Sequence, residues 1–184
     1  MSNTIRNHKV LVGLAPKNHV RLALDEIEGL IDIGYECQPV TYGRNNQSVS
    51  NLNKLIGVIV NAVKIVPVLY RFSPDIVYLN SRFESVASTR DFISICIFKL
   101  FYWKKFKVVV KSHGSDLSLV QSNNTINKKI ILPFLIKHVD KWLFLSQEEK
   151  DDISEYNPEL AKKIALTSNI IEPSRSVPSA EFLK

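Results

Sequence analysis

The residues best suited to contact a substrate follow short apolar segments at several points along the chain. The most distinctive group is His113-Gly114-Ser115-Asp116, which comes directly after the predicted strand at residues 106–112. A histidine at this point could hydrogen-bond a sugar hydroxyl or a phosphate, and the glycine would let the backbone approach a ligand. The same residues could instead form a turn, with Gly114 at the bend and Ser115 or Asp116 capping a helical turn. The residues alone leave both interpretations open.

Polar residues also follow four other apolar segments, and they form the rest of the candidate binding set. Besides Gly114 and Asp116, the set consists of Lys17, Asn18, His19, Asn80, Ser81, Glu84, Ser146 and Asn169. His19 is equally suited to contact a ligand from a loop or to begin a helix. His8 and His138 are interpreted as structural.

Six short apolar segments predict the strands that would position these residues. They lie at residues 8–15, 36–42, 75–80, 106–112, 141–146 and 163–168. Helical periodicity predicts helices at residues 20–33, 51–72, 84–103, 126–139 and 147–156. Gly34 is expected to end the first helix, Pro67 to kink or shorten the second, and Ser146 to cap the last.

Strands that alternate with helices predict a doubly wound α/β fold. We expect a Rossmann-like parallel sheet of about six strands in the order 2-1-3-4-5-6, with helices on both faces. Residues 1–171 would form this domain and residues 172–184, which include Pro173 and Pro178, a linker or tail. Ligands of such sheets bind beyond the carboxyl ends of the strands, where the candidate residues are expected.

The net charge of +6 is concentrated in part of the chain. Lysines at 99, 104, 105, 107 and 111 lie in a stretch without an acidic residue and beside Tyr102 and Trp103. This pattern suits phosphates or an anionic membrane surface, and it equally suits a solvated surface. Base stacking by the aromatic residues is less favoured than core packing, so no nucleic-acid partner is expected.

No signal peptide or membrane span is expected. Residues 55–70 are interrupted by Asn61, Lys64 and Pro67, and residues 92–103 are too short for a span. Cys37 and Cys96 have no pairing pattern, which favours a reduced, cytoplasmic protein. The sequence also contains no glycine-rich dinucleotide fingerprint, Walker-type loop, nucleophile elbow or metal-ligand spacing.

Four segments, in this order, resemble the acceptor-side half of GT-B glycosyltransferases, in particular the retaining enzymes of glycosyltransferase family 4. They are residues 74–81, 107–116, 140–150 and 163–171. Two features depart from the family. The first loop has Pro16-Lys17-Asn18-His19 where the family often has glycines, and the E-x7-E pair of the family's second, donor-binding domain has no credible counterpart.

The resemblance implies a retaining, nucleotide-sugar-dependent glycosyltransferase of cell-envelope polysaccharide or glycolipid synthesis. The present chain would be its acceptor-binding N-terminal domain, inactive alone and lacking the C-terminal donor-binding domain. His113 would be the catalytic residue that contacts the transferred sugar, and no metal or other cofactor would be obligatory. The acceptor would be a sugar or lipid-linked sugar, and the cytoplasmic protein could contact the inner face of the membrane peripherally. The alternative is a non-catalytic Rossmann-like binding module or subunit that a separate chain completes.

Overall fold

The computed structural model describes residues 8–14, 20–42, 50–121 and 123–169. Within these residues six strands form one sheet, and every neighbouring pair of strands is parallel. The strands are β1 Lys9–Leu14, β2 Glu36–Thr41, β3 Ile76–Phe83, β4 Lys107–Ser115, β5 Lys141–Phe144 and β6 Ile164–Leu166. Their order is β2-β1-β3-β4-β5-β6. The predicted α/β class and strand order are therefore confirmed.

Helices connect successive strands and cover both faces of the sheet. They are α1 Val20–Asp32, α2 Asn51–Phe72, α3 Ser85–Phe101, α4 Ser118–Gln121, α5 Leu132–His138, α6 Gln147–Tyr156 and α7 Pro158–Ala161. A π-helical segment, Asn127–Ile131, leads into α5. Gly34 follows α1 with a φ of 94°, and its N–H donates to the Ile31 carbonyl, so the predicted helix end is confirmed.

Alternate strand residues point to opposite faces, which gives the sheet two apolar layers. On one face, Ile27 of α1 packs against Val10 and Val12 of β1. The opposite face carries the larger core, where α2, α3 and α5 cover the centre of the sheet. This larger core includes Leu11, Leu69, Val77, Leu79, Phe98, Val110, Leu135 and Trp142.

The outer strands differ from the central ones in exposure and length. No residue of β2 is fully buried, and Pro39 of this strand lies opposite Val12 of β1. At the other edge, β6 has three residues. A proline can be accommodated in β2 because an edge strand leaves one side of its backbone unpaired.

Two strands continue further than the sequence analysis predicted. β3 extends to Phe83 and β4 to Ser115, so Ser81, His113 and Gly114 belong to strands rather than to the loops after them. Phe83 is fully buried, and its ring meets the rings of Trp142 and Phe144 edge-on. Burial of this ring favours continued pairing of β3 with β4 beyond Ser81, where the register between the two strands shifts.

Helix α2 runs without interruption through Pro67, which the sequence analysis expected to kink or shorten it. Pro67 is on an exposed part of the helix, where water can hydrogen-bond the carbonyl that the proline leaves unpaired. Ile65 and Leu69, on the buried side, fix the helix to the core on either side of the proline. The segment Leu52–Phe72 is long and apolar enough to cross a membrane, contrary to the sequence-based expectation, and 17% of its most apolar window is buried.

Candidate functional site

The side chains of Asn80 and His113 meet near the carboxyl ends of β3 and β4. The His113 Nε2 atom lies 2.8 Å from the Asn80 Oδ1 atom, and Asn80 is fully buried. Because a carboxamide oxygen only accepts hydrogen bonds, Nε2 carries a proton. The neutral ring then has its acceptor at Nδ1, which is shielded from solvent. The buried asparagine thereby fixes the orientation and the tautomer of the half-buried histidine.

Gly114 follows His113 with a backbone conformation that side chains other than glycine rarely adopt. Its φ is 134°, and its carbonyl accepts a hydrogen bond of 2.8 Å from the Ser112 hydroxyl. A Cβ atom at this position would lie 3.8 Å from the guanidinium of Arg82. The positive φ, rather than crowding, therefore accounts for glycine at this position.

The start of α6 approaches the end of β4. The Ser146 side chain accepts a hydrogen bond of 3.1 Å from the Glu149 N–H, which confirms the predicted helix cap. One carboxylate oxygen of Glu149, Oε1, accepts hydrogen bonds from the Ser115 N–H at 3.0 Å and hydroxyl at 3.1 Å. The other oxygen, Oε2, makes no hydrogen bond within the described residues. Glu149 is thus a further candidate that was not among the site residues predicted from the sequence.

Asp116 and Glu84 lie at the same edge of the sheet and have local partners. The Asp116 Oδ1 atom accepts a hydrogen bond of 2.9 Å from the Ser118 N–H at the start of α4. Hydrogen bonds from Ser118 lower the pKa of the Asp116 carboxyl. Glu84 precedes α3 and forms an ion pair of 3.2 Å with Arg82. Asp116 therefore has the capping role that the second interpretation of this segment describes, while its side chain remains exposed.

Ser81 belongs to a buried polar network beneath this edge. Its hydroxyl donates to Asp91 and accepts a hydrogen bond of 2.7 Å from the Arg90 Nη2 atom. Asp91 is fully buried, and it also accepts from the Tyr42 hydroxyl and pairs with Arg90 at 3.1 Å. Burial alone would lower the pKa of Arg90, but the adjacent Tyr42 and Asp91 raise it overall. The network joins the end of β2 to β3 and α3.

A second buried charged group lies on the α1 side of β4. Lys111 is fully buried, and its ammonium donates to the Glu26 carboxylate and, at 3.3 Å, to the Ser168 carbonyl. The Tyr78 hydroxyl donates to the same carboxylate at 3.4 Å. Burial raises the pKa of Glu26, although the contact with Lys111 opposes that effect. The placement of Lys111 in the basic surface stretch was therefore wrong.

The contact between Lys111 and Ser168 brings the segment after β6 toward β4. Asn169, the next residue, is half-buried, and its Oδ1 atom makes no hydrogen bond within the described residues. Lys17, Asn18 and His19 lie outside the described residues. The structure thus brings together near the carboxyl end of β4 the residues Asn80, His113, Gly114, Ser115 and Glu149.

Two further features bear on the choice of site. A cavity of about 590 Å³ lies between the π-helical segment with α5 and the region around α7, and its lining includes Lys128, Lys137 and Lys162 rather than the carboxyl-edge residues. Within the described part of the chain, no group of three or more histidine, cysteine, aspartate or glutamate residues could hold a metal ion. The residues near the carboxyl end of β4 are therefore favoured as the candidate site because of their chemistry, and not because of the size of a cavity.

Comparison with known proteins gives little further guidance. No protein-family model matches the sequence, and no curated protein matches it. Among solved structures, the chain is similar to an alpha-glucosyltransferase in complex with UDP-glucose and DNA containing an abasic site. The TM-score is 0.49 with 14% sequence identity, and the match covers 87% of this chain and 42% of that chain. The chain therefore spans less than half the length of that protein, and a similarity this low carries no inference about function.

Proposed function

We propose that this chain is the acceptor-binding half of a retaining, nucleotide-sugar-dependent glycosyltransferase that makes a cell-envelope polysaccharide or glycolipid. The observation that carries the proposal is the Asn80–His113 pair near the carboxyl ends of two adjacent strands, followed by Gly114. Open parallel sheets bind their ligands beyond this edge. The four sequence segments that resemble glycosyltransferase family 4 support the choice of chemistry.

His113 acts in this proposal as an oriented dipole near the sugar that is transferred. Asn80 holds the Nε2 proton, so the neutral ring offers Nδ1 as an acceptor to a sugar hydroxyl. Because Nδ1 is shielded from solvent in this conformation, ligand binding would have to displace the groups that cover it. A dipole fixed before the reaction stabilises developing charge without reorganisation during the reaction.

Glu149 and Ser115 supply further groups for sugar recognition. Carboxylates accept hydrogen bonds from sugar hydroxyls, and the Glu149 Oε2 atom makes no hydrogen bond within the described residues. Asp116 and Glu84 would contribute to the outer part of the acceptor site. A donor-binding domain or a separate chain would supply the nucleotide-sugar site, and transfer would need no obligatory metal.

Histidine-labelled protein and NMR test the binding half of the proposal. A panel of mono- and oligosaccharides is titrated into the chain, and the His113 ring signals are followed. At least one glycan is expected to shift them, and His113→Ala should weaken its binding about tenfold. His8→Ala is the matched control, because His8 is exposed at the amino ends of the strands, on the opposite side of the sheet from the proposed site. A panel without effect on His113, or equal effects of both variants, would contradict the proposed site.

Kinetics of the assembled enzyme test the catalytic half. When the donor-binding part is present, His113→Ala should lower kcat on the order of 10²-fold, as expected for loss of one oriented polar group. The thermal midpoint should change little. A kcat change below about threefold, together with normal glycan binding, would return His113 to a structural role.

A further inference from the structure

Helix α2 exposes an apolar stripe to solvent. Its members are Leu52, Leu55, Ile56, Ile59, Val60 and Val63, which are between 41% and 66% exposed. Their spacing of three and four residues places them on one side of the helix. The opposite side, with Ala62, Ile65 and Leu69, is buried in the core. Apolar surface of this extent on a single helix marks an interaction site.

The stripe continues toward the end of α3. Tyr70, which is 48% exposed, donates a hydrogen bond of 2.7 Å from its hydroxyl to the Phe101 carbonyl. Three large apolar side chains are exposed beyond this contact: Leu100 at 68%, Phe101 at 48% and Trp103 at 87%. Phe98 and Tyr102 are instead buried in the core, so only part of this aromatic segment faces solvent.

Cationic side chains surround the exposed rings. Lys99, Lys104 and Lys105 are exposed, and together with Tyr102, Trp103 and Phe106 they line an open cleft of about 340 Å³. The Lys104 ammonium donates to the Ser73 hydroxyl at 2.8 Å, which fixes it beside the end of α2. The acidic residue Asp75 lies just after the end of α2, and its carboxylate accepts a hydrogen bond from the Lys9 backbone N–H. Cations beside amphipathic rings and an apolar helix face match the interface of an anionic bilayer.

We propose that the exposed stripe of α2 and the end of α3 form a docking surface for an anionic phospholipid bilayer. Leu100, Phe101 and Trp103 enter the interfacial region, while the lysines contact lipid phosphates. The contact is peripheral, because insertion of α2 across the membrane would remove Ile65 and Leu69 from the core. The inference is independent of the proposed sugar chemistry.

Vesicle co-sedimentation tests the electrostatic part of the proposal. The chain is expected to bind vesicles of phosphatidylglycerol and phosphatidylcholine, not vesicles of phosphatidylcholine alone, and to dissociate at high salt. Lys99→Gln/Lys104→Gln/Lys105→Gln should weaken binding on the order of 100-fold, since each lysine near an anionic leaflet contributes roughly fivefold. Lys128→Gln/Lys129→Gln/Lys137→Gln, an equal charge change on exposed residues elsewhere, should have a much smaller effect. Equal binding to both vesicle types, or equal losses in both variants, would overturn the proposal.

Quenching of tryptophan fluorescence tests which surface of the protein faces the bilayer. Brominated acyl chains should quench Trp103, which is 87% exposed, and not Trp142, which is fully buried. Trp103→Leu should keep vesicle binding and lose the quenching. Ile56→Ser/Ile59→Ser should weaken binding while preserving the thermal midpoint, because both side chains are exposed.

Two outcomes would assign the surface to another occupant. If the chain stays with membranes through alkaline carbonate extraction, α2 spans the bilayer and peripheral docking is wrong. If light scattering shows a dimer that Ile56→Ser/Ile59→Ser dissociates, and no vesicle binds, the surface is a contact between two copies of the chain.

Discussion

Single residues show where a sequence pattern cannot distinguish surface from core. Lys111 ends a run of valines, and its charge suggested a basic surface patch. The structure buries it because Glu26, 85 residues away, supplies the opposite charge from α1. The same limit applies to Asp91, whose partners Tyr42 and Ser81 come from other elements. A polar residue in a strand or helix cannot be assigned to the core until its partner is known.

The Lys111–Glu26 pair leads to a prediction about coupling. Lys111→Met should destabilise the fold by about 3–5 kcal/mol, because it leaves the Glu26 charge buried without its partner. Adding Glu26→Leu should restore much of that loss, since the buried charge is then removed. Urea unfolding of both single variants and the double variant measures the coupling. Additive losses in the double variant would show that the two residues act independently.

Ser81 leads to a prediction that separates a structural role from a binding role. Ser81→Ala should lower the free energy of unfolding by about 1–3 kcal/mol, because Asp91 and Arg90 lose a buried hydrogen-bond partner. Ser94→Ala is a suitable control, since that buried hydroxyl donates to the Arg90 carbonyl of its own helix. Glycan affinity at the His113 site should stay unchanged. If Ser81→Ala instead weakens glycan binding without lowering the free energy of unfolding, Ser81 belongs to the ligand site.

At the scale of elements, the sequence predicted the existence of the strands better than their ends. β3 and β4 extend beyond the predicted limits because Phe83 packs against the aromatic rings of β5. That stabilisation comes from β5, a strand that is distant in the sequence and separated from β3 by β4, so the local periodicity of β3 does not reveal it. Helix α2 continues through Pro67 for a similar reason, because the core holds it on both sides. Caps, by contrast, depend on adjacent residues, and Gly34 and Ser146 were predicted correctly.

The Asp116 cap of α4 predicts a pH dependence of stability. Hydrogen bonds from Ser118 lower the pKa of this carboxyl, so the ionised form stabilises the folded state. The stabilisation should be present above the ordinary carboxyl pKa and disappear as the pH falls through the lowered folded-state value. Asp116→Ala should therefore reduce the urea midpoint at neutral pH and make progressively less difference in acid. A constant difference at all pH values would exclude a charge contribution.

At the scale of the whole molecule, the strand order was predictable because few arrangements satisfy right-handed connections. From that order one can also deduce the position of the carboxyl edge and the fact that β3 and β4 are adjacent strands. The approach of Glu149 to Ser115 does not follow from it, because it depends on how α6 is seated against the sheet.

The proposed division of labour between an acceptor-binding and a donor-binding half gives a prediction for the 184-residue chain. It should fold cooperatively and show nucleotide-sugar turnover at background level, because catalysis requires donor and acceptor to be held together. Radiolabelled donor hydrolysis and transfer to a glycan panel provide the measurement. Robust turnover by the chain alone would disprove the division proposed here.

The two edges of the sheet have a consequence for aggregation. An exposed strand edge can template the strand of another molecule, and folded proteins reduce this hazard with prolines, charges or short edge strands. β2 carries Pro39, which lacks an N–H to donate, and Glu36, which forms an ion pair of 3.4 Å with Lys9. β6 offers only three residues at the other side. Within the described residues, neither edge presents a long unpaired backbone, so the chain should resist growth into fibrils through its sheet even at high concentration.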